Sequence, residues 1–429
     1  MVAIIVGAVV ALGCVVGAMV FLRRKRVVDD TPTSKALGVF IGLTELKGTA
    51  ESEKPFASYM AGKACVRYSW HVEEHWSRTV TETYQDAQGH TQTRTRVESG
   101  WKEVAHGGES APFYLKDDTG VIRIVPDGAD IDEPELFDTT VGRADPLYFA
   151  KAPVGEIANS THRRRFHEKG IPIHTKLYVM GQARERQDVV AAEIAHSKSG
   201  MFIISTRTEK QISSGFGVGY WVFLALGLVA ALAGVLVNGL MNRHSVWPPY
   251  VVAAAGYGAA LGLGWAWLVY NSMVNLHQRV EQAWAQVDIQ LKRRHDLIPN
   301  LVEVVQGYAT HEREVQTVVT DLRAQLEATP PGVQGPDYHG VLPELRAVVE
   351  RYPDLKSSEL FLKLQNQLTE TEQRIALARD YFNDIASFYN ARLQLVPDRY
   401  IAAMMRLKAQ TLITAADFER ARVDVKLAE

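Results

Sequence analysis

Two histidines and two glutamates lie close together in the string His71-Val72-Glu73-Glu74-His75. On a helix, this H-x-x-E-H pattern places both imidazoles one turn apart, where they can hold a zinc ion while a glutamate activates water for hydrolysis. The flanking residues alternate between apolar and polar, which is typical of a strand, and residues four apart on a strand are separated by about 13 Å. Zinc bonds of about 2 Å cannot span that distance. A hydrolase that uses His71, Glu74 and His75 is therefore the weaker hypothesis.

A second string with catalytic residue types is Asp118-Thr119-Gly120, the triplet of aspartic proteases. Those enzymes need two facing carboxylates, and the sequence has no second D-[ST]-G triplet, so Asp118 would require a homodimer to complete a site. The flanking segments Phe113–Leu115 and Val121–Val125 predict a hairpin with its turn at these residues instead. We expect no enzymatic activity and no cofactor.

Three apolar stretches frame the chain, and each is long enough to cross a bilayer as one helix. They cover residues 1–22, 216–240 and 249–270 and contain no Asp, Glu, Lys or Arg. A bilayer core needs about 20 apolar residues at the rise of a helix. The sequence therefore predicts a multi-pass membrane protein with water-facing domains at residues 36–212 and 271–429.

Four consecutive basic residues, Arg23, Arg24, Lys25 and Arg26, follow the first span. Lys and Arg next to a span tend to stay in the cytoplasm, so we expect the N-terminus outside and the following domain inside. The second and third spans form a hairpin, which returns the last domain to the same side. The predicted location is the plasma (inner) membrane of a bacterium, where these four side chains would contact anionic lipid headgroups.

One face of the third span carries only small residues, and the first span repeats their spacing. The residues are Ala254, Gly258, Gly262 and Ala266, with Gly13 and Gly17 in the first span. Small residues four apart let helices approach closely, within one protomer or between protomers, so we expect a homo-oligomer. The alternative interpretation is that these small residues face lipid and contact no other helix.

Residues 36–212 are predicted to be mainly strand, packed as an antiparallel sheet or a small barrel. Cys65–Val72 alternates apolar and polar side chains, and Leu177–Val179 and Met201–Ser205 supply later strands. Ala158–Lys169, with three consecutive arginines, is predicted as a short helix.

The spacing of Gly, Pro and aromatic residues in this domain resembles the GIDE domain, also called the beside-a-membrane domain. The resemblance is carried by IGLTELKGTA (41–50), PFASYMAGKACVRY (55–68) and PFYLKDDTGVIRIVPDGA (112–129). In eukaryotes this domain lies between two membrane helices of RING ubiquitin ligases, which implies a β domain beside a membrane and a protein partner of unknown identity. A RING needs seven or eight Cys and His ligands, and Cys14 and Cys65 are the only cysteines, so ligase activity is not implied.

Residues 271–429 show apolar stripes of helical period on two long helices. The first stripe is Met273, Leu276, Val280, Trp284, Val287 and Leu291, and the second is Phe361, Leu364, Leu368, Ile375, Ala378, Phe382, Ile385 and Tyr389. We expect the third span to continue into the first of these helices, with a kink at Pro299. After a Pro- and Gly-rich loop at residues 329–343, shorter helices near residues 344–351 and from Asp398 onward would complete the bundle. The charged cluster at residues 292–296 is predicted to be solvated or to form ion pairs between helices.

This half resembles the LemA family over nearly all of residues 270–429. The resemblance is carried by QLKRRHDLIPNLVEVVQGYATHE (290–312) and FLKLQNQLTETEQRIALARDYFND (361–384). It implies a membrane-anchored helical bundle with no established catalytic residues, and its relatives include bacterial magnetosome proteins. Most members have one short anchor and no β domain, so they do not indicate what the β domain adds to this protein. Some carry lipoprotein signals, which would place the bundle outside the cytoplasm.

The sequence thus predicts an α+β membrane protein with three transmembrane helices, a mainly antiparallel GIDE-like β domain and an antiparallel LemA-like bundle of long helices. A net charge of -2 gives no overall basic surface for nucleic acid. The leading functional hypothesis is a non-enzymatic scaffold that binds membrane lipid, self-associates and organises or remodels the membrane. The alternative is an adaptor whose β domain recruits stress-response or proteolytic partners.

Overall fold

The computed structural model describes residues 2–85, 91–186, 191–197, 200–242, 247–308, 320 and 359–413. The chain divides into two compact units. One is formed by Met1–Ser34 together with Glu209–Glu429, and the other by Lys35–Thr208.

The first unit is built from long helices. The described α-helices are numbered in chain order, including one single-turn helix that lies in the second unit. They are α1 (Val2–Asp29), α2 (Leu147–Ala150, in the second unit), α3 (Glu209–Asn242), α4 (Pro248–Tyr308), α5 (Glu359–Gln394) and α6 (Asp398–Met404). Among the described residues, α1, α3 and α4 are long and apolar enough to cross a membrane by length and composition. The prediction of three candidate spans is confirmed.

Helix α4 continues from the third span without a break, and α5 packs against it in the opposite direction. His277 lies beside Tyr389, Trp284 beside Phe382, and Arg294 beside Glu372, so the sequence numbers rise along α4 as they fall along α5. All eight residues of the second predicted stripe are buried. The apolar period of α5 therefore correctly identified the face that packs.

Parts of the predicted bundle lie outside the described residues. These are the loop at residues 329–343, the helix at residues 344–351 and residues 414–429. Pro299 lies inside α4, and the kink there stays a prediction.

The second unit is mainly strand. With β1 (Thr33–Ser34) in the first unit, the strands are β2 (Gly42–Glu51), β3 (Phe56–Ala57), β4 (Ala64–Gln85), β5 (Thr91–Ser110), β6 (Phe113–Lys116), β7 (Val121–Ile124), β8 (Asp130–Asp132), β9 (Glu135–Gly142), β10 (Ser160–Pro172), β11 (Lys176–Glu185), β12 (Ala192–Ala195) and β13 (Ile203–Ser205).

One sheet closes on itself as a small barrel. Its strands follow the order β2-β6-β7-β12-β11, and β11 also pairs with β2. The β7–β12 pair is parallel, and the others in this ring are antiparallel. Buried side chains from these strands, including Leu46, Ile124, Val179 and Ile194, form the core.

The other sheet has five strands, all antiparallel. Four lie side by side in the order β5-β4-β10-β9, and the short β3 pairs with the start of β4. Strands β4 and β5 form a long two-stranded ribbon whose far end is exposed. The strand predicted at Cys65–Val72 is the first part of β4.

The short helix predicted at Ala158–Lys169 is wrong, because all of these residues from Ser160 onward belong to β10. Arg164, Phe166 and Glu168 alternate as buried residues along this strand. Two of the three are charged, and this concealed the period-two pattern. Arg164 is compensated by Glu74, and Glu168 accepts hydrogen bonds from the Met60 and Ala61 amides at 2.9 and 2.8 Å.

Candidate functional site

The closest packing of membrane helices is between α1 and α3. A Cβ atom added to Gly7 would lie 2.9 Å from Gly234 Cα, so only glycine fits there. The ring of Phe223 fills the space beside Gly17, whereas a Cβ on Gly13 would meet no described residue within 4 Å. Of the two glycines proposed for packing in the first span, Gly17 therefore packs within the protomer and Gly13 does not.

Helix α4 joins this pair through a different face from the one with small residues. The Tyr257 hydroxyl donates to the Leu224 carbonyl of α3 at 2.8 Å, and its ring packs against Ala11 and Val15 of α1. Gly258 follows Tyr257 by one residue and therefore points about 100° away around the helix. Within the part of the chain that the structure describes, a Cβ on Gly258 or on Gly262 would meet nothing within 4 Å.

The small-residue face of α4 is thus open in one protomer. Ala254 and Ala266, at its two ends, are half-buried. Packing of this face against another helix remains a prediction, and it would require a second copy of the chain or another membrane protein.

A buried ionic cluster joins the end of α1 to the helices that follow the third span. Arg26 donates to Asp398 at 2.8 Å, Arg392 donates to Asp30 at 2.8 Å, and Arg392 also lies 3.6 Å from Asp398. Arg279 of α4 adds a hydrogen bond to the Asp30 carbonyl at 3.2 Å. Burial raises the pKa of the Asp30 carboxyl, although the Arg392 and Arg26 charges oppose this. The cluster ties α1, α4, α5 and α6 together.

This cluster changes the interpretation of the basic residues that follow the first span. Arg26 is 8% exposed and faces Asp398, and Lys25 pairs with Asp29 and donates to Ser213 at 2.9 Å. Arg23 and Arg24 are exposed. Contact with lipid headgroups therefore stays a prediction for Arg23 and Arg24, while Lys25 and Arg26 have partners within the unit.

The chain that follows α6 is held along α5 by two asparagines. Asn390 donates to the Gln410 carbonyl and accepts from its amide, both at 2.8 Å. Asn383, two turns earlier on α5, bonds Ile413 in the same way. Sequence reasoning missed this role, because a polar residue on a helix gives no sign of which backbone it will pair with.

The string His71 to His75 lies on strand β4, so the helical zinc arrangement is not formed. His71, Glu73 and His75 are half-buried on one face, and Glu74 is fully buried on the other. His75 lies 2.9 Å from the Thr161 hydroxyl and stacks edge-on against Trp101. The hydrolase hypothesis that uses His71, Glu74 and His75 together is contradicted by this alternation.

Glu74 forms a buried ion pair with Arg164. Arg164 Nε and Nη2 donate to it at 3.1 and 2.9 Å, and Ser160 and Tyr148 donate to its other oxygen. Burial acts to raise the pKa of the Glu74 carboxyl, but the hydrogen bonds from Ser160, Arg164 and Tyr148 and the Arg164 charge outweigh it and lower the pKa. A carboxylate held in this way connects β4 to β10 and is not free to activate water.

Asp118 lies in the predicted hairpin turn. Its carboxylate is 69% exposed and pairs with Lys35, and the hydrogen bond from Lys35 lowers its pKa. The adjacent Asp117 accepts from the Thr119 and Gly120 amides at 2.7 and 3.0 Å. These residues fix a turn between β6 and β7, which is the structural explanation for the triplet.

Comparison with known families identifies two regions of the chain. The LemA family model matches residues 283–427, and the model described as GIDE, E3 ubiquitin ligase, matches residues 81–237. Both resemblances are confirmed. Each model matches about a third of the chain. We use the name LemA part for the matched residues 283–427, and the name GIDE part for the second unit, Lys35–Thr208, which the GIDE model overlaps from residue 81 onward.

Curated relatives match the LemA side of the chain. Protein LemA of Metamycoplasma hominis is 24% identical over 173 residues, which cover 38% of this chain and 79% of that protein. Magnetosome protein MamQ 1 of Paramagnetospirillum magneticum is 25% identical over 169 residues, and MamQ of Magnetospirillum gryphiswaldense is 23% identical over 171 residues. The matches cover 32% of this chain and 62% of each MamQ protein. With the three apolar helices, these relatives identify a membrane protein.

Proposed function

We propose that this protein is a self-associating, non-enzymatic scaffold that organises or remodels the bacterial membrane in which its helices lie. The observation that carries the proposal is the open face of α4, where a Cβ on Gly258 or Gly262 would meet none of the described residues, while other glycines of the same unit are tightly packed. Glycines four apart on a membrane helix let a second helix approach closely. A second copy of α4 is the occupant we propose for this face.

The ionic cluster supports a mechanical role. Arg26 and Asp398, with 9% and 4% of their side chains exposed, connect the first membrane helix to the end of the LemA part. A connection of this kind transmits force between the membrane helices and the long helices α4 and α5. The relatives include magnetosome proteins, and membrane organisation as the process is our proposal for this chain.

Bulky substitutions on the open face test self-association. In the full-length protein in lipid nanodiscs, replacement of both Gly258 and Gly262 by leucine would force the helices apart and cost about 1–3 kcal/mol per contact, which is about ten-fold or more in the dissociation constant. We expect light scattering to show an oligomer for the wild type and a smaller species for the variant.

Gly256→Leu is the matched control, because Gly256 also has open space around it but points about 200° away from Gly258. The control should keep the wild-type mass. A wild-type monomer, or an unchanged oligomer in the Gly258 and Gly262 double variant, would contradict the proposed contact.

An adaptor is the second candidate, and the β4–β5 ribbon favours it. In the exposed part of the ribbon, Tyr84 on one face and Val97, opposite Thr79, on the other are 48% and 69% exposed, so apolar side chains are available for a stress-response or proteolytic partner. In the full-length protein, Tyr84→Ser with Val97→Ser should remove the partner, and Thr81→Ser with Thr95→Ser, a cross-strand pair on the same ribbon, should retain it. Identical co-purifying proteins for both variants would rule this surface out.

We further propose that the GIDE and LemA parts lie on the cytoplasmic side, with the N-terminus outside. Arg23 and Arg24, which are exposed directly after the first span, support this orientation through the preference of basic residues for the cytoplasm. Reporter fusions after residues 1 and 429 test it, because they should report opposite compartments. A C-terminal reporter that is active outside the cytoplasm would contradict the orientation.

A further inference from the structure

The outward face of the β5-β4-β10-β9 sheet carries a row of metal-ligating residue types. The antiparallel register pairs His106 with His71, His71 with His167, and His167 with Asp138. Residues directly opposite each other on neighbouring strands point to the same face, with Cβ atoms about 5 Å apart. One histidine or aspartate from each of four strands therefore lies in a single line across the sheet.

Three side chains of this face converge. Ligand atoms of His71, Glu73 and His167 all lie within 4.8 Å of one another. The imidazole rings of His71 and His167 stack with centroids 4.8 Å apart and planes 27° apart, and His167 Nε2 is 4.0 Å from Glu73 Oε2. A tetrahedral zinc ion with bonds of about 2.1 Å holds its ligand atoms about 3.4 Å apart, so side-chain shifts of about 1 Å would complete the site.

The fourth residue of the row orients one of the ligands. His167 Nδ1 lies 3.3 Å from Asp138 Oδ2, which leaves Nε2 directed toward Glu73. A histidine that binds a metal through one ring nitrogen usually donates its other N–H to a carboxylate in this way, which fixes the tautomer. Arg165 in turn lies 3.5 Å from Asp138.

We propose that His71, Glu73 and His167 bind one divalent transition-metal ion of the zinc type on the outer face of the GIDE part, with Asp138 as the residue that orients His167. Two imidazoles and one carboxylate suit zinc, cobalt or nickel and are a poor set for magnesium or calcium, which prefer oxygen ligands. The site differs from the H-x-x-E-H arrangement, because the second histidine comes from β10 and His75 is not a ligand. The bound ion would join the two central strands of the sheet.

Metal binding by the full-length protein in detergent tests the proposal. After removal of metal with a chelator, equilibrium dialysis against about micromolar free Zn²⁺ should give one ion per protomer, and Mg²⁺ should give none. Bound Co²⁺ should show the visible absorption of a tetrahedral nitrogen and oxygen site. Single substitutions His71→Gln, Glu73→Gln and His167→Gln should each weaken zinc binding about ten-fold or more and abolish the cobalt spectrum, and Asp138→Asn should weaken binding less.

His75→Gln and His174→Gln are matched controls. His75 lies on the same face of β4 but bonds Thr161, and His174 pairs with Glu51 elsewhere in the GIDE part. Both variants should bind zinc like the wild type, and circular dichroism should show that every variant is folded. Equal binding by the His71, Glu73 and His167 variants, or no stoichiometric binding by the wild type, would overturn the proposed site.

Discussion

Replacement of Asp398 by asparagine removes the charge that faces two arginines of the buried ionic cluster. Arg26 would lose its partner at 2.8 Å, and Arg392 would lose a carboxylate oxygen at 3.6 Å. Removal of one partner from a buried ion pair costs about 3–5 kcal/mol, because the remaining charge is left buried without compensation. Asp30 remains nearby and offsets part of this cost, so we expect about 3 kcal/mol.

Hydrogen exchange of the full-length protein in nanodiscs measures this change. A loss of about 3 kcal/mol should speed exchange about 100-fold in amides of α6 and of the last turns of α5 that exchange through opening of this region. Asp380→Asn is the control, because Asp380 is exposed on α5, and it should leave exchange unchanged.

A second variant distinguishes loss of the ion pair from loss of a favourable charge at the start of α6. Asp398 lies in the first turn of α6, where any carboxylate stabilises a helix by about 0.3–1 kcal/mol. Arg26→Met leaves that carboxylate in place, so it should accelerate exchange in the same segment to a similar extent. If neither variant changes exchange by more than about three-fold, the cluster does not hold the helices together and the reasoning is refuted.

Further predictions concern the buried pair of the GIDE part and the glycines of α1. Glu74→Leu or Arg164→Met should lower the unfolding temperature of the GIDE part by about 10 °C, because about 3–5 kcal/mol is lost and each kcal/mol corresponds to about 2–4 °C in a domain of this size. The double variant should recover part of the loss, and two additive losses would contradict a direct pair. Because the pKa of Glu74 is lowered in the folded protein, the stabilisation by its carboxylate should be complete above pH 4.5, its ordinary pKa, and be lost as the pH falls through the lowered pKa. The unfolding temperatures of the wild type and Glu74→Gln should therefore converge in acid, and a difference that does not change with pH would refute this. Gly7→Leu should separate α1 from α3 and reduce the yield of folded protein, whereas Gly13→Leu should be tolerated, and equal yields would contradict the packing.

The apolar patterns of the sequence were sufficient for the long elements. Membrane helices need a continuous apolar run, and α5 buries the stripe predicted from its period because that face is the one that can pack. The same applies to Val66 and Val72 on β4, which alternate with polar neighbours and are buried. In each case the apolar residues of the local pattern are the ones that the tertiary packing buries.

Buried charges account for most of what sequence reasoning missed. Glu74 and Arg164 occupy inward positions of their strands, and each is acceptable there only because the other is its partner. The sequence predicts a headgroup contact for Arg26, because its buried partner, Asp398, lies far away along the chain. The position of His167 opposite His71 was hidden for the same reason, since the strand register that brings them together is not encoded in either local segment.

The number of protomers per assembly in a lipid bilayer tests the central claim most directly. Subunits of the full-length protein, each labelled with one fluorophore, can be counted by stepwise photobleaching in vesicles over a range of protein-to-lipid ratios. We predict several bleaching steps per particle, and fewer for the Gly258→Leu and Gly262→Leu double variant. A single step at every ratio would contradict a self-associating membrane scaffold.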